Sequence, residues 1–254
     1  EFRRVLFRSN EKVLYHGHAV AAVAARTPVI ADQALELIKV DYETLPPVLS
    51  LDEAMSDEVV LHDHLRTQGG ENSDKPSNIY QKVVEEQGDV ETGFAEADLV
   101  LEREYVTPTV HQGYIEPPAC LAQFSSTGQS TIWTTTQGHF PIRQAVARML
   151  AVEESQIRVI PTEIGGGFGG KTAPYQEAIA LMLSKHASLP VRMVMTREEI
   201  FRTAGPGAGT RIRVKAGATK DGRITALQAW MYYESGAFPA APLGGGMRSI
   251  FACY

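Results

Sequence analysis

Cysteine is almost missing from this sequence. Its 254 residues include two, Cys120 and Cys253, each alone in an apolar context with no second sulfur or histidine at ligand spacing. An iron–sulfur cluster needs about four cysteine ligands, so the chain holds none by itself, and both thiols are expected to be buried and reduced. Basic excess is missing too. Lys and Arg total 24 against 30 Asp and Glu, a net charge of -6, and no basic stripe offers the counterion release that drives nucleic-acid binding. No apolar run approaches the roughly 20 residues that span a bilayer. No charged start followed by an apolar stretch and a small-residue cleavage site marks export. The expectation is a cytoplasmic protein without a membrane or nucleic-acid partner. No internal repeat is visible. What is present is ordinary globular material, 44% hydrophobic and 21% charged, with enough apolar side chains for a real core.

Both ends look unnatural. Glu1 to Ser9 lacks a Met and any capping or turn logic and joins abruptly to a well-patterned segment, so residues 1–9 are expected to be a non-native scar. Phe251-Ala252-Cys253-Tyr254 is apolar with no polar tail and reads as a cut within a domain.

Between the ends, strands and helices mix in an α+β pattern. Residues 13–23 suggest two short strands around His16-Gly17-His18, followed by a helix over 31–38 and a strand over 39–42 that Pro46-Pro47 stops. Residues 62–78 concentrate Gly, Pro, Asn and Ser and form the best linker, dividing the chain into 10–60, a linker at 61–80, and 81–254. Alternation predicts strands at 99–106, 121–124 and 131–135, the last two joined by a turn at Ser126-Thr127-Gly128. Ile142, Ala145, Val146, Met149 and Leu150 fall on one face of a helix opened by Pro141. A strand at 157–160, a glycine loop, a helix through Ala178, Ile179, Met182 and Leu183, and a strand at 191–195 follow. Thr210 to Ala216 and Ile224 to Tyr233 form a hairpin around Lys220-Asp221-Gly222.

The glycine loop carries the chemistry. Gly165-Gly166-Gly167-Phe168-Gly169-Gly170-Lys171-Thr172 fits G-x-x-x-x-G-K-S/T, and its first six residues fit G-x-G-x-x-G. Clustered glycines allow positive φ and close backbone approach, turning N–H groups toward an anion or an oxo ligand. As a P-loop it lacks a following strand that ends in an acidic magnesium ligand, because Val191 to Thr196 has none. As a dinucleotide loop it lacks the acidic residue about 20 positions on.

More than the loop enters a third reading. Thr134-Thr135-Thr136-Gln137-Gly138, then Glu163 to Lys171, with His111-Gln112-Gly113-Tyr114-Ile115-Glu116-Pro117 upstream, Val13 to Pro46 before that, and Arg192 to Glu198 downstream, resemble the molybdenum-binding large subunit of the xanthine dehydrogenase and aldehyde oxidase family over residues 11–254. The resemblance implies the end of an α/β hammerhead domain over 10–60 and the first part of a molybdopterin-binding domain over 81–254. It implies molybdopterin, in its cytosine dinucleotide form, with molybdenum, and hydroxylation of an sp² carbon of an aldehyde or N-heterocycle with water. Electrons would pass to a small 2Fe-2S subunit and an FAD subunit of a hetero-oligomer, these being absent from the chain itself. The rivals are a P-loop NTPase and a metal-free scaffold subunit of the same fold.

By the same resemblance, Gln137 would donate its amide to a molybdenum oxygen, with a strand-end polar residue as the plainer alternative. Gly167, Phe168 and Gly169 would line the metal, with backbone N–H groups toward its oxygens and the Phe ring as a shield. No residue ligates the metal directly. Lys171 either pairs with a phosphate or carboxylate or is a solvated lysine. Glu116 suits a salt-bridged structural carboxylate. His16 with His18, and His62 with His64, have the spacing of metal pairs but also of turn and surface residues. The family's general base and substrate arginine correspond to positions beyond residue 254, which leaves no catalytic residue in the chain.

Thr172 departs from the purine-oxidising members, where a carboxylate directly follows the lysine and hydrogen-bonds the heterocycle. A hydroxyl cannot replace that ionisable group, so the full-length protein should turn over xanthine poorly relative to a small aldehyde. Comparison of kcat/KM for the two substrates checks this, and equal values would refute it.

Overall fold

A computed structural model describes residues 2–6, 12–69 and 74–238, with the backbone alone for 2–6. In chain order its elements are β1 (Phe2–Leu6), β2 (Ala21–Ala25), α1 (Pro28–Glu36), α2 (Leu51–Ser56), α3 (Val90–Ala95), β3 (Leu99–Thr107), β4 (Ala119–Gln123) and β5 (Ser130–Thr134). Then come α4 (His139–Leu150), a 3-10 turn at Glu154–Gln156, β6 (Ile157–Pro161), α5 (Glu177–Ala187), β7 (Val191–Val194), α6 (Arg197–Thr203), β8 (Thr210–Ala218) and β9 (Ile224–Tyr233). The class is α+β. Residues 1 and 7–9 of the segment read as a scar lie outside the described residues, as do Cys253 and the chain's last residues.

The chain divides into two compact units, one of residues 1–43 and 111–207, the other of 44–110 and 208–254. In the first, β1 and β2 pair antiparallel, and a four-stranded sheet runs in the order β6-β5-β4-β7. The β4–β5 and β4–β7 pairs are antiparallel, whereas β5–β6 is parallel. Two parallel neighbours need a crossover rather than a hairpin, and α4 supplies it. Ile132, Ile142, Val146, Leu183 and Ala180 are fully buried in the core between helices and sheet. Cys120 joins them from β4, and burial, with Glu177 nearby, pushes its thiol far above the ordinary range. Helix starts follow local chemistry. The Thr27 hydroxyl accepts from Ile30 N–H ahead of Pro28, and a reciprocal capping box of Thr196 and Glu199 starts α6.

In the second unit β3-β8-β9 form an antiparallel sheet, with α3 lying close against it. At Gly93 an added Cβ would stand 2.4 Å from the Thr225 carbonyl oxygen. The Asp221-Gly222 turn forms as predicted, with Gly222 at φ +89°. Arg211 holds Asp52 through two hydrogen bonds of 2.6 and 3.1 Å.

Several local expectations need correction. Residues 13–23 contain one strand, β2, instead of two. His16 and Gly17 lie in a turn, where Gly17 takes φ +112° and a Cβ would meet Arg202 O at 2.6 Å. That turn stacks Tyr15 on His18 and directs Leu14 N–H to His18 Nδ1 at 3.2 Å. Residues 39–42 form no strand because their alternation buries nothing, with Val40 41% and Tyr42 65% exposed. The first helix begins at Pro28 and ends at Glu36, shifted toward its Thr27 cap. In α4 the helix starts at His139, so Pro141 sits inside its first turn. The packed stripe there is Ile142, Val146 and Ala147 with Leu150 partly buried beside them, as expected for Leu150, whereas Met149 is 63% exposed. Helix α6 was not foreseen, although Thr196 and Glu199 spell its cap. Among the described residues no group of three or more His, Cys, Asp or Glu could hold a metal. His62 and His64 contact each other edge-on at 5.6 Å, and His62 Nε2 lies 2.6 Å from Ala237 O. No described helix is long and apolar enough to cross a membrane.

The α4 correction is testable by unfolding in denaturant. Ile142→Ala should cost about 2–5 kcal/mol through the cavity it leaves, whereas Met149→Ala should stay within about 0.5 kcal/mol of wild type.

Candidate cofactor-binding loop

Parallel pairing of β5 with β6 brings two distant segments together. Both strands end on the same side, with Thr134 opposite Pro161, and Thr162 N–H extends the ladder to Thr134 O at 3.0 Å. Whatever follows β5 therefore lies beside whatever follows β6, at the carboxyl ends where α/β sheets commonly bind ligands. Thr135 to Gly138 follow the first and the glycine loop follows the second.

Lys171 knots the two segments. Its backbone oxygen accepts from Gln137 N–H at 2.9 Å and from the Thr136 hydroxyl at 3.1 Å. Gln137 Oε1 accepts from the N–H groups of Gly169 and Lys171 at 3.0 and 3.1 Å. Two backbone donors on one side-chain oxygen fix which way the amide faces, and leave Nε2 without a partner among the described residues. Glycine at 167 leaves room for this amide, since a Cβ there would fall 2.5 Å from Gln137 Oε1 and push the side chain off its donors.

The Lys171 side chain turns inward. It is 1% exposed, its Nζ lies 2.6 Å from Glu116 Oε2, and the Tyr114 ring centroid stands 4.9 Å away. The solvated-lysine reading is thereby overturned, and Glu116 is a salt-bridged carboxylate. The same Oε2 accepts from Gly165 N–H at 2.7 Å. Burial alone would raise the Glu116 pKa, but the hydrogen bonds from Lys171 and Gly165 and the lysine charge outweigh it and leave the carboxyl below its ordinary value.

Further residues that the sequence did not single out brace this arrangement. Arg197 donates to the carbonyls of Tyr114, at 3.0 Å, and Ile115. The Tyr175 hydroxyl donates to Gly170 O at 2.7 Å and accepts from Gly205 N–H at 3.1 Å, and burial pushes its pKa up to about 12 despite that donor. Glu177, buried at the start of α5, accepts from the Thr134 hydroxyl at 2.7 Å and from the N–H groups of Tyr175 and Gln176. The Gln112 amide donates to Gly205 O at 3.0 Å. Gln112 and Tyr114 lie within the His111 to Pro117 motif already noted. Arg197 lies within the Arg192 to Glu198 segment already noted, but its carbonyl partners are 82 and 83 positions away, and no pattern around Tyr175 marks its hydroxyl as a brace.

At the loop's tip, Gly166, Phe168 and Gly169 take φ of +87°, +51° and +89°. Phe168 is a non-glycine in the left-handed region, a strained state that surrounding structure must hold. The residue is 74% exposed, and its ring leans over Gly166, where a Cβ would meet Phe168 Cε2 at 3.0 Å. Gly169 N–H is taken by Gln137, whereas those of Gly166, Gly167 and Phe168 have no partner among the described residues. Thr172 is exposed, and its hydroxyl turns back to Gly169 O at 3.1 Å. The helix after the loop begins only at Glu177. A P-loop needs its lysine free for phosphate where the helix opens, and here that lysine is buried against Glu116 several residues earlier.

Unpaired amides, positive-φ glycines and a free carboxamide NH2 make a donor-rich cradle suited to an oxygen-bearing cofactor. Comparison with known proteins identifies the family. Residues 72–254 match the molybdopterin cofactor-binding domain, and residues 3–46 match the a/b hammerhead domain of aldehyde oxidase and xanthine dehydrogenase. The chain belongs to the molybdopterin-binding large subunits of the xanthine dehydrogenase and aldehyde oxidase family.

It is 34% identical over 230 residues to the nicotinate dehydrogenase large molybdopterin subunit of Eubacterium barkeri, covering 90% of this chain and 51% of that one. Quinoline 2-oxidoreductase from Pseudomonas putida 86 superimposes with a TM-score of 0.69 at 30% identity, over 85% of this chain and 26% of its own. Reconstituted CO dehydrogenase from Oligotropha carboxidovorans gives a TM-score of 0.72 at 27% identity, over 84% and 27%. The chain thus spans about half, or less, of the length of these relatives.

The lowered Glu116 pKa sets a pH dependence. A carboxyl depressed in the folded state contributes stability that is complete above its unfolded value, about 4.3, and is lost as pH falls through the folded value. Denaturation titrations from about pH 7 to about pH 3 should show this acid-side loss. Glu116→Gln should flatten that part of the profile while lowering stability at neutral pH.

Proposed function

We propose that the full-length protein is the large subunit of a molybdenum hydroxylase, with the glycine loop and Gln137 holding the cofactor. The observation that carries this reading is the run of three unpaired N–H groups, Gly166 to Phe168, beside the free Gln137 Nε2, in a chain of this family. When bound, the molybdopterin cofactor supplies the oxidising centre for hydroxylating an sp² carbon with oxygen from water, releasing two electrons per turnover.

The chain's own residues bind and orient. Gln137 would donate from Nε2, while Gly167 and Phe168 would donate from the backbone. Gly169 would act through its fit, because its N–H already serves Gln137, and the Phe168 ring would keep water from the loop. Thr172 would face the substrate pocket as a neutral hydroxyl, which favours an aldehyde or a heterocycle that needs no carboxylate partner. The cytosine dinucleotide form of the cofactor, a 2Fe-2S subunit and an FAD subunit in a hetero-oligomer, and cytoplasmic residence belong to the same proposal. The domain division at 10–60, 61–80 and 81–254 also stands as a proposal, beside family matches over 3–46 and 72–254.

Metal and nucleotide analysis of the purified full-length protein tests this. The expected result is about one molybdenum and one pterin per chain. Bound nucleotide without molybdenum would restore the P-loop reading, and neither would leave a metal-free scaffold.

A further inference from the structure

We propose that Glu116 is a positioning residue for the cofactor loop, one carboxylate oxygen joining the loop's two ends. This rests on the cofactor reading above. Glu116 Oε2 takes the Gly165 N–H at 2.7 Å and the Lys171 Nζ at 2.6 Å, so the first residue of the glycine run and the lysine that closes it share a single acceptor. Gln137 Oε1 does the same from the opposite strand end for Gly169 and Lys171. Between these two braces lie the unpaired N–H groups of Gly166, Gly167 and Phe168.

The glutamate stem lies against the loop as well, for a Cβ on Gly165 would stand 2.7 Å from Glu116 Cβ. Glu116 is itself held from behind, where Arg197 takes the carbonyls of the two preceding residues. A strained tip such as Phe168 keeps its conformation only if its surroundings determine it, and the two braces are those surroundings. None of Glu116, Gln137 or Lys171 belongs to the apolar core of α4, α5 and the sheet. Loss of the carboxylate should therefore loosen the loop ahead of the core, because local opening and global unfolding are separate events.

The test compares wild-type full-length protein with Glu116→Gln and Glu116→Ala. Hydrogen exchange read by mass spectrometry follows the loop peptide over 162–176 against peptides of α4 and α5, and the release of molybdenum and pterin is timed in parallel. In Glu116→Ala the loop should exchange at least about tenfold faster and the cofactor leave about tenfold faster, with α4 and α5 accelerated far less than the loop. Glu116→Gln keeps an acceptor for Gly165 but loses the charge beside Lys171, and should recover part of both effects.

Wild-type loop exchange in both variants overturns the proposal, as does acceleration of α4 and α5 in step with the loop, which marks a merely structural role. If Glu116→Ala does not fold, the isosteric Glu116→Gln decides alone, and unchanged loop exchange there overturns the idea. A wild-type protein without molybdenum would defeat the functional reading instead, and the exchange result would still decide whether Glu116 braces the loop.

Discussion

A buried ammonium group governs the architecture of the site. Lys171 is 1% exposed at its side chain, and a charge taken out of water is tolerated only when paired and hydrogen-bonded. Glu116 provides the pair, and the Tyr114 face provides a favourable field at 4.9 Å. Meeting that requirement draws the His111 to Pro117 segment under the glycine run. Because the backbone of Lys171 is simultaneously tied to Thr136 and Gln137, one residue joins three segments distant in sequence.

The scaffold beneath fixes where the loop lies. A parallel β5–β6 pair, crossed over by α4, aims both strand ends at the same place. The loop is then free to use glycine for contact instead of packing. At Gly167 and Gly170 an added Cβ would fall within 3 Å of Gln137 Oε1 and of Tyr114 Cε1, so the backbone itself fills the space that side chains would occupy elsewhere. Among the described residues the donors of Gly166 to Phe168 stay unpaired.

Much of the fold could be read directly along the chain. Alternation located β3, β4 and β5, short apolar runs located β6 and β7, and the Asp221-Gly222 turn located the β8–β9 hairpin, because these depend on neighbours in sequence. Residues 39–42 and the α4 stripe were misread for the opposite reason. An alternating or helical pattern says which residues could share a face, while the neighbour that arrives decides which face is covered. Met149 and Ala147 exchanged roles on that account. His16 and His18 belong to a turn that closes on Arg202, a partner nearly the whole first unit away.

Taken alone, the sequence carried the resemblance to the family and, through it, pointed to Gln137, Gly167, Phe168, Gly169 and Thr172 as the residues to watch, since several short motifs in a fixed order can be read without the fold. It left Lys171 open between solvent, phosphate and carboxylate. Only the tertiary structure decided for Glu116, and with it that Gly169 spends its N–H on Gln137 while Gly166, Gly167 and Phe168 keep theirs. The physical reason is that a hydrogen-bond donor's availability depends on what the rest of the chain brings within about 3 Å of it, and no local pattern encodes that distance.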